Sequence, residues 1–125
     1  MRTALFAAPL LLAATAAFAQ DASTLQGLAA CRTDAATVDL TFSYSGSACE
    51  VADFATVTED GETATVVVPT EATAEVCTMQ EVAIDVAQSI PVTTAVKTLD
   101  VELLDVQGEV SRTGTTEIAP QCTEA

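Results

Sequence analysis

The stretch from Cys49 to Cys77 places the strongest constraint on the fold of this chain. At its centre, Asp60-Gly61 separates two runs rich in Thr and Val, and Asp-Gly is a preferred pair for a two-residue hairpin turn because both turn residues need positive φ. The pattern predicts a β-hairpin whose open end is closed by a disulfide. The second arm is five residues longer than the first. We expect residues 69–74 to loop out and absorb the difference.

The first 19 residues have the pattern of a secretory signal peptide. Arg2 precedes an apolar run from Ala4 to Ala17, and Ala17-Phe18-Ala19 is a small-x-small cleavage motif. The apolar run is shorter than the roughly 20 residues that a membrane-spanning helix requires. We therefore expect cleavage after Ala19, export to the periplasm or the extracellular space, and no membrane span.

The chain is strongly acidic, with a formal net charge of -14 at pH 7. Cleavage of the signal would leave Arg32, Lys97 and Arg112 as the basic residues, against 18 Asp and Glu. A polyanion of this density repels nucleic acid and anionic lipid head groups, so a nucleic-acid partner is not expected. It can attract a basic partner or cations. Solubility explains the charge as well, because the acidic residues are spread along the whole chain rather than gathered in a tail.

Four cysteines follow the signal: Cys31, Cys49, Cys77 and Cys122. An even number in a small exported chain predicts disulfides formed in an oxidising compartment. The hairpin argument favours Cys49 with Cys77, which leaves Cys31 with Cys122. A zinc site is the alternative, but the chain has no C-x-x-C pair and no histidine, so all four cysteines would have to converge.

Cys31 has a second interpretation. Leu28-Ala29-Ala30-Cys31 resembles a bacterial lipobox, in which the cysteine becomes the acylated first residue. A lipobox normally adjoins the apolar run, whereas here the polar segment 20–26 intervenes. Acylation of Cys31 would prevent a bond to Cys122.

Several segments alternate with the period of two that is typical of half-buried strands. The clearest alternation places apolar side chains at Val38, Leu40, Phe42 and Tyr44. Two later segments show the same spacing, with apolar residues at Val82, Ile84 and Val86 and at Leu99, Val101 and Leu103. Residues 78–89 also fit an apolar helical stripe, and their β-branched content favours a strand. Bulges or bends are expected near Asp53 and near Leu104, where the parity changes. Gln107-Gly108 predicts a tight turn.

The fold class that these segments indicate is all-β: an antiparallel β-sandwich, immunoglobulin-like or Greek-key, with about six or seven strands and two disulfides. A small barrel is the alternative. The expected organisation is a signal peptide at 1–19, an extended lead-in at 20–36 with one possible helical turn near residues 25–30, and a single β-sandwich domain at 37–122.

Part of the chain resembles a group of small exported bacterial β-sandwich domains of no known function. The resemblance rests on Cys49, the segment TEDGETATV from Thr58 to Val66, and AEVCT from Ala74 to Thr78 followed by the Val82/Ile84 strand. Members of the group close with a V-N-G turn, where this chain has Val106-Gln107-Gly108 and lacks the upstream tyrosine. The resemblance covers about half of the mature chain. It implies the fold and the bridge but no activity.

The side-chain inventory restricts the chemistry. Without His or Asn, the chain has no Ser-His-Asp or Cys-His arrangement and no histidine metal centre. A carboxylate pair could serve a glycosidase-like hydrolase, but the chain has little aromatic material for a sugar cleft. Asp100, Glu102 and Asp105 could bind calcium weakly, although the spacing of a calcium-binding loop is absent.

The sequence therefore predicts a non-enzymatic, exported module without a cofactor, which acts by contact with an unidentified protein partner. We expect a sheet face or edge to make this contact, with the loop at 69–74 as the first candidate. The alternatives are a calcium-dependent binding or structural module and, after it, a carboxylate-pair hydrolase.

Overall fold

The computed structural model describes residues 24–77 and 80–122, and these residues form nine strands and no helix. The predicted all-β class with two disulfides is confirmed. The strands are β1 Gln26–Asp34, β2 Thr37–Ser47, β3 Glu50–Ala52, β4 Thr56–Asp60, β5 Thr63–Val68, β6 Thr70–Ala72, β7 Glu81–Pro91, β8 Thr98–Leu104 and β9 Val110–Ala119. The predicted signal peptide at 1–19 lies outside the described residues.

Seven of the strands form one curled sheet in the order β4-β5-β8-β9-β1-β2-β7, and β3 pairs with β6 in a small second sheet. The pairs β5-β8 and β1-β9 are parallel, and the other pairs are antiparallel. The expected purely antiparallel arrangement is therefore wrong. The sheet curls into a half-barrel rather than forming two clearly separate layers, because its apolar face can be buried only by curving around itself.

The core fills the inside of the curl and follows the alternation predicted from the sequence. Three strands supply most of the core: β5 and β8 bury every second residue along their length, and β2 does so over residues 37–44. The fully buried side chains include Val38 and Leu40 of β2, Val66 and Val68 of β5, and Leu99, Val101 and Leu103 of β8.

Strand β1 belongs to the centre of this sheet. It lies between β9 and β2, and Leu25 and Ala30 are buried in the core. The sequence placed residues 20–36 in a lead-in before the domain, but the folded unit already includes β1, and the helical turn expected near 25–30 is a strand. Tertiary pairing on both sides of this segment outweighs its weak local pattern.

The predicted hairpin is present, with its turn one residue later than expected. Asp60 pairs with Thr63, so the two turn residues are Gly61 and Glu62. Gly61 has a φ of 68°. This conformation favours glycine because it has no Cβ to clash with the backbone.

Beyond the hairpin, the two arms pair again as β3 and β6, and a backbone bond of 2.7 Å from the Thr73 N–H to the Cys49 carbonyl extends this ladder. The loop expected at 69–74 is therefore wrong, because half of it is the paired strand β6. The surplus length lies in residues 73–77, where Val76 is 88% exposed. A bond between Cys49 and Cys77 closes this segment.

The second disulfide joins Cys31 of β1 to Cys122 after β9. Both bonds follow the pairing that the hairpin argument favoured. Since the Cys31 sulfur is bonded to Cys122, the structure does not agree with the lipobox interpretation. Two disulfides are consistent with an oxidising compartment. Within 24–77 and 80–122, no helix has the length and apolarity to cross a bilayer.

The segments after residue 80 follow the sequence predictions except at Val106. Residues 81–91 are a strand, not the alternative helix. The β8-β9 register shifts between Leu103 and Leu104, where a bulge was predicted, but Val106 beyond it remains half exposed. The predicted turn at Gln107-Gly108 is present, with a hydrogen bond of 2.9 Å from the Gly108 N–H to the Asp105 carbonyl.

Candidate functional site

The most unusual feature of the structure is an open sheet edge. β7 is eleven residues long and pairs only with β2, so its other side has no partner strand among the described residues. Unpaired backbone N–H and C=O groups along a long strand are a template for pairing with another chain.

The register identifies which backbone groups point outward. The Ala48 N–H bonds the Gln80 carbonyl at one end of the β2-β7 ladder, and the Val92 N–H bonds the Ala36 carbonyl at the other. Hydrogen-bonded and non-hydrogen-bonded pairs alternate in an antiparallel ladder. Even-numbered residues of β7 therefore bond to β2, and odd-numbered residues direct their backbone groups to the open side.

Pro91 supports this assignment. It is an odd-numbered residue of β7 and has no N–H to donate. A proline is tolerated on an edge strand where its nitrogen faces away from the partner. The unpaired groups accordingly belong to the odd-numbered residues before it, which are Glu81, Ala83, Asp85, Ala87 and Ser89.

An apolar groove of about 330 Å³ runs beside this edge. Ile84 and Val86 of β7 form one wall, and residues 51–54 form the other. Phe54 is 84% exposed and Val51 is 49% exposed. Large apolar side chains exposed next to unpaired backbone groups are typical of an interaction surface.

Gln88 holds the two walls together at one point. Its Oε1 accepts a 2.9 Å bond from the Ala55 N–H, and its Nε2 donates a 2.7 Å bond to the Asp53 carbonyl. The side chain thus supplies the hydrogen bonds that a neighbouring strand would otherwise make, and it satisfies the backbone where the chain breaks between β3 and β4.

The groove carries negative charge. Asp53 and Asp85 line it, and no Lys or Arg is among its lining residues. The pKa of Glu71 is raised because its carboxyl group hydrogen-bonds to Asp53 and is repelled by the charge of Asp53. The pKa of Asp53 is lowered by its hydrogen bonds with Glu71 and with the Phe54 N–H. Two adjoining carboxyl groups therefore lie on the surface next to Phe54.

A larger cleft of about 640 Å³ lies beside the Cys49–Cys77 disulfide. The Tyr44 hydroxyl donates a 3.1 Å bond to Glu50, whose other oxygen accepts the Ser47 N–H at 3.0 Å. The Arg112 guanidinium lies 5.8 Å from the centre of the Tyr44 ring and donates to the Ser45 carbonyl. Burial, and then the charge of Glu50, raise the pKa of Tyr44. The phenol is therefore a donor that joins the end of β2 to the β3 segment, and it is poorly suited to act as a base.

Gly46 makes this arrangement possible. A Cβ on Gly46 would lie 2.8 Å from the Tyr44 ring and 2.9 Å from Ile84. The close approach of the ring to the backbone therefore requires glycine. The cluster fixes the end of β2, next to the start of the open edge.

The acidic residues considered for calcium do not form a common site. Asp100 accepts a 3.0 Å bond from the Thr115 hydroxyl, and Asp105 accepts the backbone N–H groups of Gln107 and Glu109 in the turn before β9. Among the described residues, the one group of three with ligand atoms close enough for a metal is Cys31, Asp39 and Cys122. Its two sulfur atoms are joined in a disulfide, so they are not thiolate ligands.

The sequence analysis identified the four cysteines but not the open edge or the groove. One feature of the sequence pointed to the groove: Gln88 lies between Val86 and Ile90, at a position where the alternation of the strand expects an apolar residue. A polar residue at such a position needs a buried or bridging partner. The position of β7 at the end of the sheet could not be deduced, because strand order depends on contacts between distant segments.

Comparisons of this chain with protein-family models, curated proteins and solved structures find no match.

Proposed function

We propose that the chain is an exported, non-enzymatic module that binds another protein by strand addition at the open edge of β7. The observation that carries the proposal is the row of outward backbone groups from Glu81 to Ser89 beside the apolar groove of Val51 and Phe54. An extended segment paired there would gain main-chain hydrogen bonds from the edge and apolar contact from the groove. This site replaces the 69–74 loop as the surface where contact is expected.

The location and class belong to the same proposal. The signal-peptide pattern at 1–19 and the two disulfides support a periplasmic or extracellular protein. The resemblance to small exported bacterial β-sandwich domains supports an exported β-domain with the Cys49–Cys77 bridge, and it implies no activity. The absence of His from the sequence excludes Ser-His-Asp and Cys-His hydrolase arrangements.

A proline substitution at an outward position tests the proposal. Ala87→Pro removes one outward N–H and leaves the bonds to β2 intact, so the domain should fold with nearly unchanged stability. Ala87→Thr is the matched control, because it retains the N–H and adds a residue that favours strands. Tagged mature protein of each kind would be cross-linked in the native cell envelope and its partners identified.

The proposal expects a partner that is captured by the parent protein and by Ala87→Thr but is at least ten-fold depleted with Ala87→Pro. The cross-linked peptide of this chain should come from β7 or from residues 51–54. Equal capture by both variants, or cross-links confined to other surfaces, would contradict strand addition at β7.

A further inference from the structure

We propose that the segment bound at β7 belongs to a basic protein and alternates apolar residues with Lys or Arg. This inference rests on the proposed function and names the chemistry of its partner.

The two faces of β7 specify the two kinds of side chain. Even-numbered residues point into the curl, where Ile84 and Val86 line the groove. Odd-numbered residues point outward, and Glu81 and Asp85 are both exposed on that face. Successive side chains of an added strand would face these two surfaces in turn. The inward positions therefore favour apolar residues, and the outward positions favour cations opposite Glu81 and Asp85.

None of the basic residues that the structure describes lines the groove beside Asp53 and Asp85. These basic residues are Arg32, Lys97 and Arg112. Arg32 donates to the carbonyls of Val92 and Thr93, and Arg112 donates to the carbonyl of Ser45. Asp53 and Asp85 are therefore the carboxylates of the groove that a cationic partner can pair, whereas Glu81 shares the larger cleft with Arg112.

A second acidic position lies at the β3 end of the groove, where half-buried Asp53 lines the groove and exposed Glu71 pairs with Val51 in the β3-β6 ladder. The interaction between the two carboxyl groups lowers the pKa of Asp53 and raises the pKa of Glu71. A Lys or Arg at this end of the groove would relieve the repulsion between the two carboxylates.

The net charge of the chain argues that the strand bound at β7 comes from a different protein rather than from a second copy of this chain. Two copies of a chain with a net charge of -14 repel one another, and pairing their β7 edges would bring Glu81 and Asp85 of both copies together. Like charges opposite one another on adjacent strands are destabilising. A cationic segment reverses the sign of this interaction and also speeds association at low salt. The occupant is therefore a basic segment of another protein.

Three labelled eight-residue peptides test the inference: one alternates Val with Lys, one alternates Val with Glu, and one has four Lys followed by four Val. Binding of each to the mature protein would be measured by fluorescence anisotropy. The inference expects the alternating Val-Lys peptide to bind at least ten-fold more tightly than either of the others, with an affinity that falls as salt is added.

Variants of the protein locate the binding. Ala87→Pro should weaken the Val-Lys peptide at least ten-fold, and Ala87→Thr should not. Glu81→Gln with Asp85→Asn should reduce the preference for Lys over Glu several-fold. Asp60→Asn with Glu117→Gln makes the same change in net charge away from the edge and should leave the preference nearly intact.

The outcomes separate this inference from the proposed function. If both alternating peptides bind equally and Ala87→Pro weakens both, strand addition stands and the basic character of the partner is wrong. If the Val-Lys peptide binds equally well to Ala87→Pro, it binds the acidic surface in general, and the inference is overturned. If neither alternating peptide binds, the inference also fails, while the cross-linking experiment still decides the proposed function.

Discussion

The two end strands of the curled sheet, β4 and β7, differ in how their unpaired edges are managed. β4 has five residues, and Thr58, Glu59 and Asp60 at its end are exposed. β7 has eleven residues and presents a regular row of outward backbone groups. Short length and charged side chains are devices by which proteins protect sheet edges from unwanted pairing. β4 has both devices, whereas β7 has the exposed charges of Glu81 and Asp85 but is long and lies beside exposed apolar side chains.

Glu59 adds to the contrast. It accepts bonds from the Thr93 N–H at 3.0 Å and from the Thr93 hydroxyl at 2.6 Å, and so ties β4 to the connection between β7 and β8. The β7 edge is bridged to the opposite wall by Gln88. One edge is thus shielded and anchored, and the other is kept accessible. Under the proposed strand addition, this difference makes β7 rather than β4 the edge at which a partner strand is expected.

The largest expected effect is on stability and should leave the β7 edge unchanged. Replacing Cys31 and Cys122 with Ser removes a link between residues 91 apart in sequence, and loop entropy predicts a loss of about 4.6 kcal/mol in the free energy of unfolding. Urea titration at about 15 °C would measure the loss. Because this bridge joins β1 to the tail after β9, binding of the Val-Lys peptide to the folded variant should change less than two-fold. A large loss of affinity would show that the two regions are coupled.

Removing the other bridge should affect both stability and the edge. Replacing Cys49 and Cys77 with Ser opens a link across 28 residues and should cost about 3.5 kcal/mol. The bond lies three residues before Gln80, which leads into β7, so its loss should also let the start of that strand fray and weaken peptide binding. Equal affinity in this variant and the parent protein would mean that β7 keeps its position without the bridge.

An intermediate effect is expected at Gln88. Gln88→Ala removes both bonds to residues 53 and 55, and two hydrogen bonds are worth about 2 kcal/mol together. Gln88→Glu retains an acceptor for the Ala55 N–H but loses the donor to the Asp53 carbonyl, so it should lie between the parent and Gln88→Ala in urea titration. If Gln88→Ala unfolds at the same urea concentration as the parent, the bridge does not hold the walls of the groove.

The smallest effect concerns the shielded edge and depends on pH. Hydrogen bonds from the Thr93 hydroxyl and N–H lower the pKa of Glu59 below its ordinary value of 4.5. A carboxylate with a lowered pKa in the folded state stabilises the fold above the unfolded pKa, and this contribution is lost as pH falls through the folded pKa. Glu59→Gln should therefore be slightly less stable than the parent at pH 7, with a difference that shrinks as the pH falls below 4.5 and vanishes below the lowered pKa of Glu59. A difference that persists or grows at acid pH would contradict this account.

Local patterns in the sequence were sufficient to predict most of the strands and which face of each strand is buried. The alternation of β2 and β8 and the Asp-Gly hairpin all depend on neighbours within a few residues. The turn was displaced by one residue because Asp60 could occupy either a turn position or the last strand pair, and only the register decides between them.

The sheet order and the candidate site could not be predicted in the same way. β1 has little alternation of its own and is held by β9, whose residues lie almost 90 positions later in the chain. The strand β6 at 70–72 is short and depends on β3 to pair with it. Which strand ends the sheet is decided by such distant contacts, so the exposure of the β7 edge was beyond sequence reasoning even though the strand itself was predicted.

Amide hydrogen exchange along β7, followed by NMR with and without the alternating Val-Lys peptide, tests the central claim most directly. In the free protein, the N–H groups of Ala83, Asp85 and Ala87 should exchange quickly, while those of Val82, Ile84 and Val86 are protected by their bonds to β2. On addition of the peptide, the three odd-numbered amides should become protected and the others should change little. Slow exchange at every residue of β7 in the free protein, or no new protection when the peptide binds, would contradict strand addition at this edge.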